Sequence, residues 1–134
     1  MEVKFLDLKS NYNNNKKEIN TCIQKVLDNT NYILGEEISI FENNFSKFCG
    51  VKHCIGVANG TDALEIALAS LSLDNDAEII VPGNTYIATC LGVISNSHKL
   101  VLCDCDPNTY QISLDDLKKK TTKNTRALII VHLY

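Results

Sequence analysis

The residues best placed for chemistry lie at two strand-to-helix turns, and the first turn spans Asn59–Asp62. It stands between a short apolar run and an amphipathic helical pattern, so it is expected to open a helix. The first N–H groups of a helix lack partners within it and lie at the positive end of its dipole. We therefore predict a phosphate site at Gly60, Thr61 and Asp62, in which the N–H groups of Thr61 and Asp62 and the Thr61 hydroxyl are the donors. The alternative is a simple helix cap by Asn59 or Thr61.

The second turn carries an aromatic residue, Tyr86, shortly after the apolar run Glu78–Pro82. Ligands of open α/β sheets bind at the carboxyl ends of strands, where an aromatic ring can stack on a flat ligand. The alternative is an aromatic side chain that packs on the protein surface. Neither a P-loop nor a GxGxxG dinucleotide motif is present. The two turns together indicate a flat, phosphorylated cofactor.

Other chemically capable side chains are expected to be structural. Asp104 and Asp106 could be metal ligands, but no histidine or further carboxylate stands nearby at ligand spacing, so no metal site is predicted. We expect both to be solvated, and the alternating Cys103 and Cys105 to be buried. His98 lies beside a lysine and is expected at the surface.

Composition excludes several classes of protein. The net charge of −3 gives no basis for nucleic-acid or anionic-membrane binding, so neither partner is expected. No apolar run approaches the ~20 residues of a membrane span, and the first residues do not read as a secretory signal. Six cysteines without a CxxC pair predict free thiols in a reducing, cytoplasmic setting.

The elements that must position the two turns follow from hydrophobic periodicity. The 134 residues allow one domain with a real core. Alternating short strands and helices predict an α/β fold with a mostly parallel sheet flanked by helices. The predicted helices are Lys16–Leu27, Glu36–Cys49, Thr61–Leu73, Thr85–Ser95 and Leu114–Lys120, and the predicted strands are His53–Ala58, Glu78–Pro82, Leu100–Cys105 and Ala127–Leu133.

Five segments, taken in order, resemble the N-terminal portion of the DegT/StrS family of sugar aminotransferases, which are pyridoxal-phosphate enzymes. They are FLDLKSNY, YILGEEISIFENNFSKFCGVKHCIGVANGTDALEIAL, EIIVPGNTYIAT, CDCDPNTYQIS and TRALIIVHLY. The resemblance implies the N-terminal part of an aspartate-aminotransferase-like (fold type I) large domain, truncated in the last strand. It also implies an N-terminal arm and helix over residues 1–30, the first part of the cofactor-binding domain over residues 31–134, and an absent C-terminal small domain.

The resemblance implies roles for particular residues. Gly60, Thr61 and Asp62 match the turn that binds the phosphate of pyridoxal 5'-phosphate, and Tyr86 matches the aromatic residue that stacks on its ring. Three further positions match segments near the substrate sugar, namely Tyr32, Gly35 and Thr85.

The implied reaction transfers an amino group, from glutamate, to a nucleotide-linked keto sugar in amino-sugar or surface-glycan biosynthesis. The family's Schiff-base lysine and the aspartate that pairs with the pyridinium nitrogen lie downstream of the matching segments. No catalytic residue is therefore assigned, and weak cofactor binding is expected of this chain by itself. The implied partners are a second copy or the missing C-terminal half. The alternative is an inactive remnant or an interaction module that pairs with a full-length aminotransferase.

Overall fold

The computed structural model describes residues 3–133, which form two compact units, one within Met1–Gly56 and the other within Val57–Tyr134. The prediction of a boundary at residue 30 stays a prediction. The elements in chain order are α1 (Leu8–Asn29), α2 (Glu36–Cys49), α3 (Gly60–Ser70), β1 (Glu78–Pro82), α4 (Ile87–Ser95), β2 (Lys99–Cys103), α5 (Leu114–Lys120) and β3 (Thr125–Leu128).

The first unit holds two helices with well-defined ends. Asp7 caps α1 by accepting a hydrogen bond from the Ser10 N–H at 3.0 Å, and Thr30 ends the helix in the left-handed region. Gly50 ends α2 at φ 67°, a conformation that glycine adopts without a steric penalty. The predicted bounds of α2 are confirmed, whereas α1 begins eight residues before the predicted Lys16. Apolar periodicity cannot mark that polar first part.

The second unit contains a parallel three-stranded sheet in the order β2-β1-β3. All five residues of β1 are buried, as expected for a continuous apolar strand covered on both faces. Ile79 and Val81 join Leu68 of α3 and Val93 of α4 in the core. The α/β fold with a parallel sheet flanked by helices is confirmed.

The connections between strands place helices on both faces of the sheet. β2 and β3 flank β1 on opposite sides, so the chain moves one way from β1 to β2 and the other way from β2 to β3. Because parallel crossovers are right-handed, α4 and α5 cover opposite faces. This arrangement leaves the carboxyl ends of all three strands at one edge.

Two predicted strands differ from the structure. Residues 53–58 form no strand, since no neighbouring segment in residues 3–133 pairs with them and Ile55 and Val57 are exposed. The Gly56 N–H instead donates to Glu42 Oε1 at 2.7 Å. The last strand runs from Thr125 to Leu128 instead of from the predicted Ala127 to Leu133, and Tyr134 lies outside the described residues.

The amino ends of the strands are joined by a buried carboxylate. Glu78 is 5% exposed, and its Oε1 accepts a hydrogen bond from Lys99 Nζ at 2.7 Å. Thr122, just before β3, donates its hydroxyl hydrogen to Glu78 Oε2. These bonds, led by that of Lys99, hold the pKa of the Glu78 carboxyl below its usual range. One charged side chain thus links β1 to both flanking segments.

No helix in the described part of the chain is long and apolar enough to cross a membrane.

Candidate cofactor site at the carboxyl edge of the sheet

Two hydrogen bonds between Asn59 and Asp62 hold the first turn of α3. Asn59 Oδ1 accepts from the Asp62 N–H at 3.0 Å, while Asn59 Nδ2 donates to Asp62 Oδ2 at 3.1 Å. Asn59 is therefore the cap, as the alternative reading expected, and the Asp62 N–H is already occupied. The Asp62 carboxylate also lies at the positive end of the helix, where a negative charge is favourable.

Two N–H groups at the start of α3 remain open. Neither the N–H of Gly60 nor that of Thr61 donates a hydrogen bond within residues 3–133. Gly60 is exposed, and a Cβ added to it would meet nothing within 4 Å. Unpaired N–H groups at a helix start, with free space before them, are the donors that bind phosphate in many proteins. The donor pair available is thus Gly60 and Thr61 rather than Thr61 and Asp62.

Tyr86 stands directly before α4, at its N-cap position, with an extended backbone and no capping bond from its side chain. Its ring is 77% exposed. Helix α4 begins at Ile87 rather than at the predicted Thr85, because the backbone of Tyr86 is extended. The hydroxyl groups of Thr85 and Thr89 share a hydrogen bond at 2.8 Å. An exposed ring on a fixed backbone can offer a flat face to a planar ligand.

Helices α3 and α4 pack in parallel, so their first turns lie at the same edge of the sheet. A Cβ on Gly92 would lie 3.1 Å from Leu64 Cβ, and Asn96 Nδ2 donates to the Glu65 carbonyl at 2.9 Å. Each helix leads through a short connection to the amino end of a strand, α3 to β1 through residues 71–77 and α4 to β2 through residues 96–98, so both helices end at the amino edge of the sheet. Because α4 follows β1, that shared edge is the carboxyl edge of the sheet, where ligands of α/β proteins bind.

The loops at this edge are tied together by two bonds that sequence reasoning missed. The Gly83 N–H donates to the Cys103 carbonyl at 2.7 Å, and Asn84 Nδ2 donates to the Tyr110 carbonyl at 2.9 Å. Tyr110 has φ 57°, a left-handed conformation. The only sequence signal was the Gly-Asn pair itself, which is typical of a turn but does not reveal its distant partners.

The remaining candidate residues are divided between the two compact units. Thr85 lies beside Tyr86 in the second unit, with its hydroxyl already bonded to Thr89. Tyr32 and Gly35 belong to the first unit. Tyr32 is exposed and donates its hydroxyl hydrogen to the Leu27 carbonyl at 3.5 Å, and Gly35 precedes α2.

The acidic residues after β2 have structural partners. Asp106 accepts from the N–H groups of Asn108 and Thr109 at 2.9 Å, bonds that lower the pKa of its carboxyl. Asp104 is exposed, as predicted. Within residues 3–133 no cluster of three potential metal ligands occurs. Burial raises the pKa of the Cys103 thiol, so this side chain behaves as part of the core.

Comparison with known proteins agrees with this geometry. The family model of the DegT/DnrJ/EryC1/StrS aminotransferases matches residues 13–134. A dTDP-3-amino-3,6-dideoxy-alpha-D-galactopyranose transaminase of Aneurinibacillus thermoaerophilus is 42% identical over 98% of this chain and 36% of its own length. A UDP-2-acetamido-2-deoxy-3-oxo-D-glucuronate aminotransferase of Pseudomonas aeruginosa is 41% identical over 98% of this chain and 37% of its own length.

A solved structure shares the fold. The Streptomyces venezuelae protein DesV, solved in complex with a ketimine intermediate, superposes with a TM-score of 0.90 at 39% identity. The superposition covers 98% of this chain and 36% of that one. The chain thus spans about a third of the length of the relatives that it matches.

The parallel sheet with paired helix starts at its carboxyl edge is that of fold type I pyridoxal-phosphate enzymes. The chain belongs to the DegT/DnrJ/EryC1/StrS aminotransferase family. The resemblance inferred from its motifs is confirmed, and pyridoxal phosphate is the cofactor that this family uses.

Proposed function

We propose that this chain supplies the phosphate-binding turn and the ring-stacking face of a pyridoxal 5'-phosphate site. The observation that carries the proposal is the pair of open N–H groups on Gly60 and Thr61, at the same sheet edge as the exposed Tyr86. The proposal assigns to this chain the cofactor that its family uses.

The donor set fits the phosphate of this cofactor. Backbone N–H groups donate to phosphate oxygens, and the helix dipole favours a dianion at this position. Gly60 leaves room for close approach, because a Cβ there would project into open space.

Each residue has a defined task in the proposed site. Gly60 and Thr61 bind the phosphate, and Tyr86 orients the ring by stacking. Asp62 accepts the Asn59 amide and thereby fixes the turn, instead of donating its N–H as first predicted. When bound, the cofactor supplies an electron sink for bonds made and broken at the substrate's amino-bearing carbon.

We further propose that the complete catalytic unit transfers an amino group from glutamate to a nucleotide-linked keto sugar. Support comes from relatives named as transaminases acting on dTDP-linked and UDP-linked sugars. Tyr32, Gly35 and Thr85 remain proposed sugar-side positions. The lysine and aspartate that the reaction needs are proposed to lie on polypeptide beyond the matched third of these relatives.

A second polypeptide surface is part of this proposal, supplied by a second copy or by the C-terminal half of such an enzyme. Helix α4 has no charged residue, and its side away from the core exposes an apolar stripe. Helices that are apolar all round are usually buried. The stripe consists of Ile87, Leu91 and Ile94.

We place the chain in the cytoplasm. All six cysteines are free thiols, and free cysteines persist in a reducing compartment.

Equilibrium binding tests the cofactor proposal. Pyridoxine 5'-phosphate is the probe of choice, because it has the ring and the phosphate but no aldehyde to react with surface lysines. We expect the purified 134-residue chain to bind it at least about tenfold more tightly than pyridoxine, which lacks the phosphate. Equal binding of the two compounds, or none, would refute the proposal.

The same exposed stripe on α4 favours one other candidate, an interaction module that binds a full-length aminotransferase without being catalytic. Co-expression of this chain with a full-length family member, followed by size-exclusion chromatography, separates the two. A stable mixed complex that Leu91→Asp abolishes is expected for the module. Cofactor binding without any mixed complex favours the first proposal.

A further inference from the structure

We infer that Gly92 of α4 and Asn96, the residue that caps the end of this helix, are positioning residues that set the distance between the phosphate-binding turn and Tyr86. The inference rests on the proposed cofactor site and adds residues to it that lie away from any ligand. Both residues lie where α4 crosses α3, so each can determine how closely and in what register the two helices pack.

Gly92 allows the close approach of the two helices. It is buried, and a Cβ at this position would lie 3.1 Å from Leu64 Cβ and 3.4 Å from the Glu65 nitrogen. One of these contacts involves backbone, which cannot rotate away. A methyl group here must therefore push α4 away from α3 by a few tenths of an ångström or more.

Asn96 fixes the register of the same pair. Its Nδ2 donates at 2.9 Å to the carbonyl of Glu65 on α3 and at 2.9 Å to the carbonyl of Gly92 on its own helix. One amide thus bridges α3 and α4 at the end of α4, where the carbonyl groups otherwise lack partners. Both bonds are partly buried, so their loss removes a bridge between the two helices at a poorly solvated position.

These contacts can govern the site because helices transmit displacement. Gly92 lies five residues after Ile87, which corresponds to about 7 Å along the helix axis. Leu64 lies at a similar distance from the start of α3. A shift at the crossing therefore reaches Tyr86 and the Gly60 turn as a change in their separation. A ligand that touches both turns is sensitive to this change, whereas a ligand that touches only one is not.

The test compares two ligands on each variant. Inorganic phosphate contacts the Gly60 turn alone, and pyridoxine 5'-phosphate contacts this turn and Tyr86. Dissociation constants for both come from NMR titration of the Thr61 amide resonance. We expect Gly92→Ala to raise the dissociation constant of pyridoxine 5'-phosphate by about tenfold. The dissociation constant of inorganic phosphate should stay within about twofold of its value for the original chain.

Two further variants make the comparison decisive. Asn96→Ala should show the same selective loss, and it decides the matter if Gly92→Ala does not fold. Ile66→Ala, on the exposed side of α3, should leave the ratio of the two constants unchanged.

The outcomes separate this inference from the proposed function. If the variants lose affinity for both ligands equally, the two residues have a merely structural role and the inference is overturned. Unchanged affinity for both ligands would overturn it as well. Failure of the unaltered chain to bind pyridoxine 5'-phosphate would overturn the proposed function, and the inference with it. A loss of affinity for pyridoxine 5'-phosphate alone supports both the inference and the proposed function.

Discussion

At the scale of single residues, the bonds of Asn59 show that a helix cap and a phosphate site can share one turn. The Asn59 side chain caps α3 through the Asp62 N–H, yet the Gly60 and Thr61 N–H groups stay open. Capping and phosphate binding therefore use different donors of one helix start. Sequence reasoning treated them as alternatives, because the pattern does not show which N–H group the cap accepts.

Gly60→Ala tests whether Gly60 serves the ligand rather than the fold. Nothing lies within 4 Å of the added Cβ, so the free energy of unfolding should stay within about 0.5 kcal/mol of the original value. Binding of pyridoxine 5'-phosphate should weaken, because in the proposed site the methyl group competes with the phosphate for the open space at Gly60. Chemical denaturation and calorimetric titration measure the two effects. A large loss of stability would assign Gly60 to the fold instead.

Asn59→Ala tests the cap. The variant removes the acceptor of the Asp62 N–H and should lower the free energy of unfolding by about 1 kcal/mol. Asn59→Ser is the matched control, since a serine hydroxyl can accept the same bond. Urea denaturation should rank the serine variant between the other two. Equal stability of the serine and alanine variants would contradict the role of the cap.

Another residue-scale prediction was wrong. His98 was expected at the surface but is buried, and its Nδ1 has no hydrogen-bond partner in residues 3–133. The neighbouring lysine suggested exposure, and Lys99 is indeed exposed. A turn between a helix and a strand can place adjacent side chains in opposite environments, which composition alone does not reveal.

At the scale of elements, the sequence predicted best where local signals agree. The strand β1 and the helix α5 have the predicted bounds, because an apolar run and a Ser113 cap mark them directly. The Ser113 hydroxyl accepts from the Asp116 N–H at 3.3 Å, as expected of an N-cap. The strand predicted at residues 53–58 is wrong, because a strand also needs a neighbouring strand with which to pair. A local apolar run carries no information about such a neighbour.

The buried Glu78 predicts how the sheet responds to acid. Its pKa is lowered in the folded chain, so its contribution to stability is present above the pKa of the unfolded state, about 4.3. That contribution is lost as the pH falls through the lower folded pKa. Glu78→Gln should therefore reduce stability at pH 7 and flatten its loss between neutral and acidic pH.

Urea denaturation at a series of pH values between 7 and 3 measures this dependence. Asp76→Asn is the control, since Asp76 is exposed in the turn before β1. The control should retain the pH dependence of the original chain. Identical pH profiles for Glu78→Gln and the original chain would contradict the role given to this carboxylate.

At the scale of the whole molecule, the second unit contains the sheet edge where the proposed cofactor residues meet. Its central strand is fully buried, and both helix starts with candidate residues face the carboxyl edge. The alternation of strands and helices was sufficient to predict this architecture. The separation of Tyr32 and Gly35 into another compact unit could not be predicted, because it depends on contacts between distant segments.

The central claim is that one ligand engages both helix starts of this unit. The most direct measurement is an amide and aromatic NMR map of the chain during titration with pyridoxine 5'-phosphate. The account predicts that the Gly60 and Thr61 amides and the Tyr86 ring shift together, with one dissociation constant. Shifts confined to another region, such as the groove lined by Asp106 and Ser113, would contradict it.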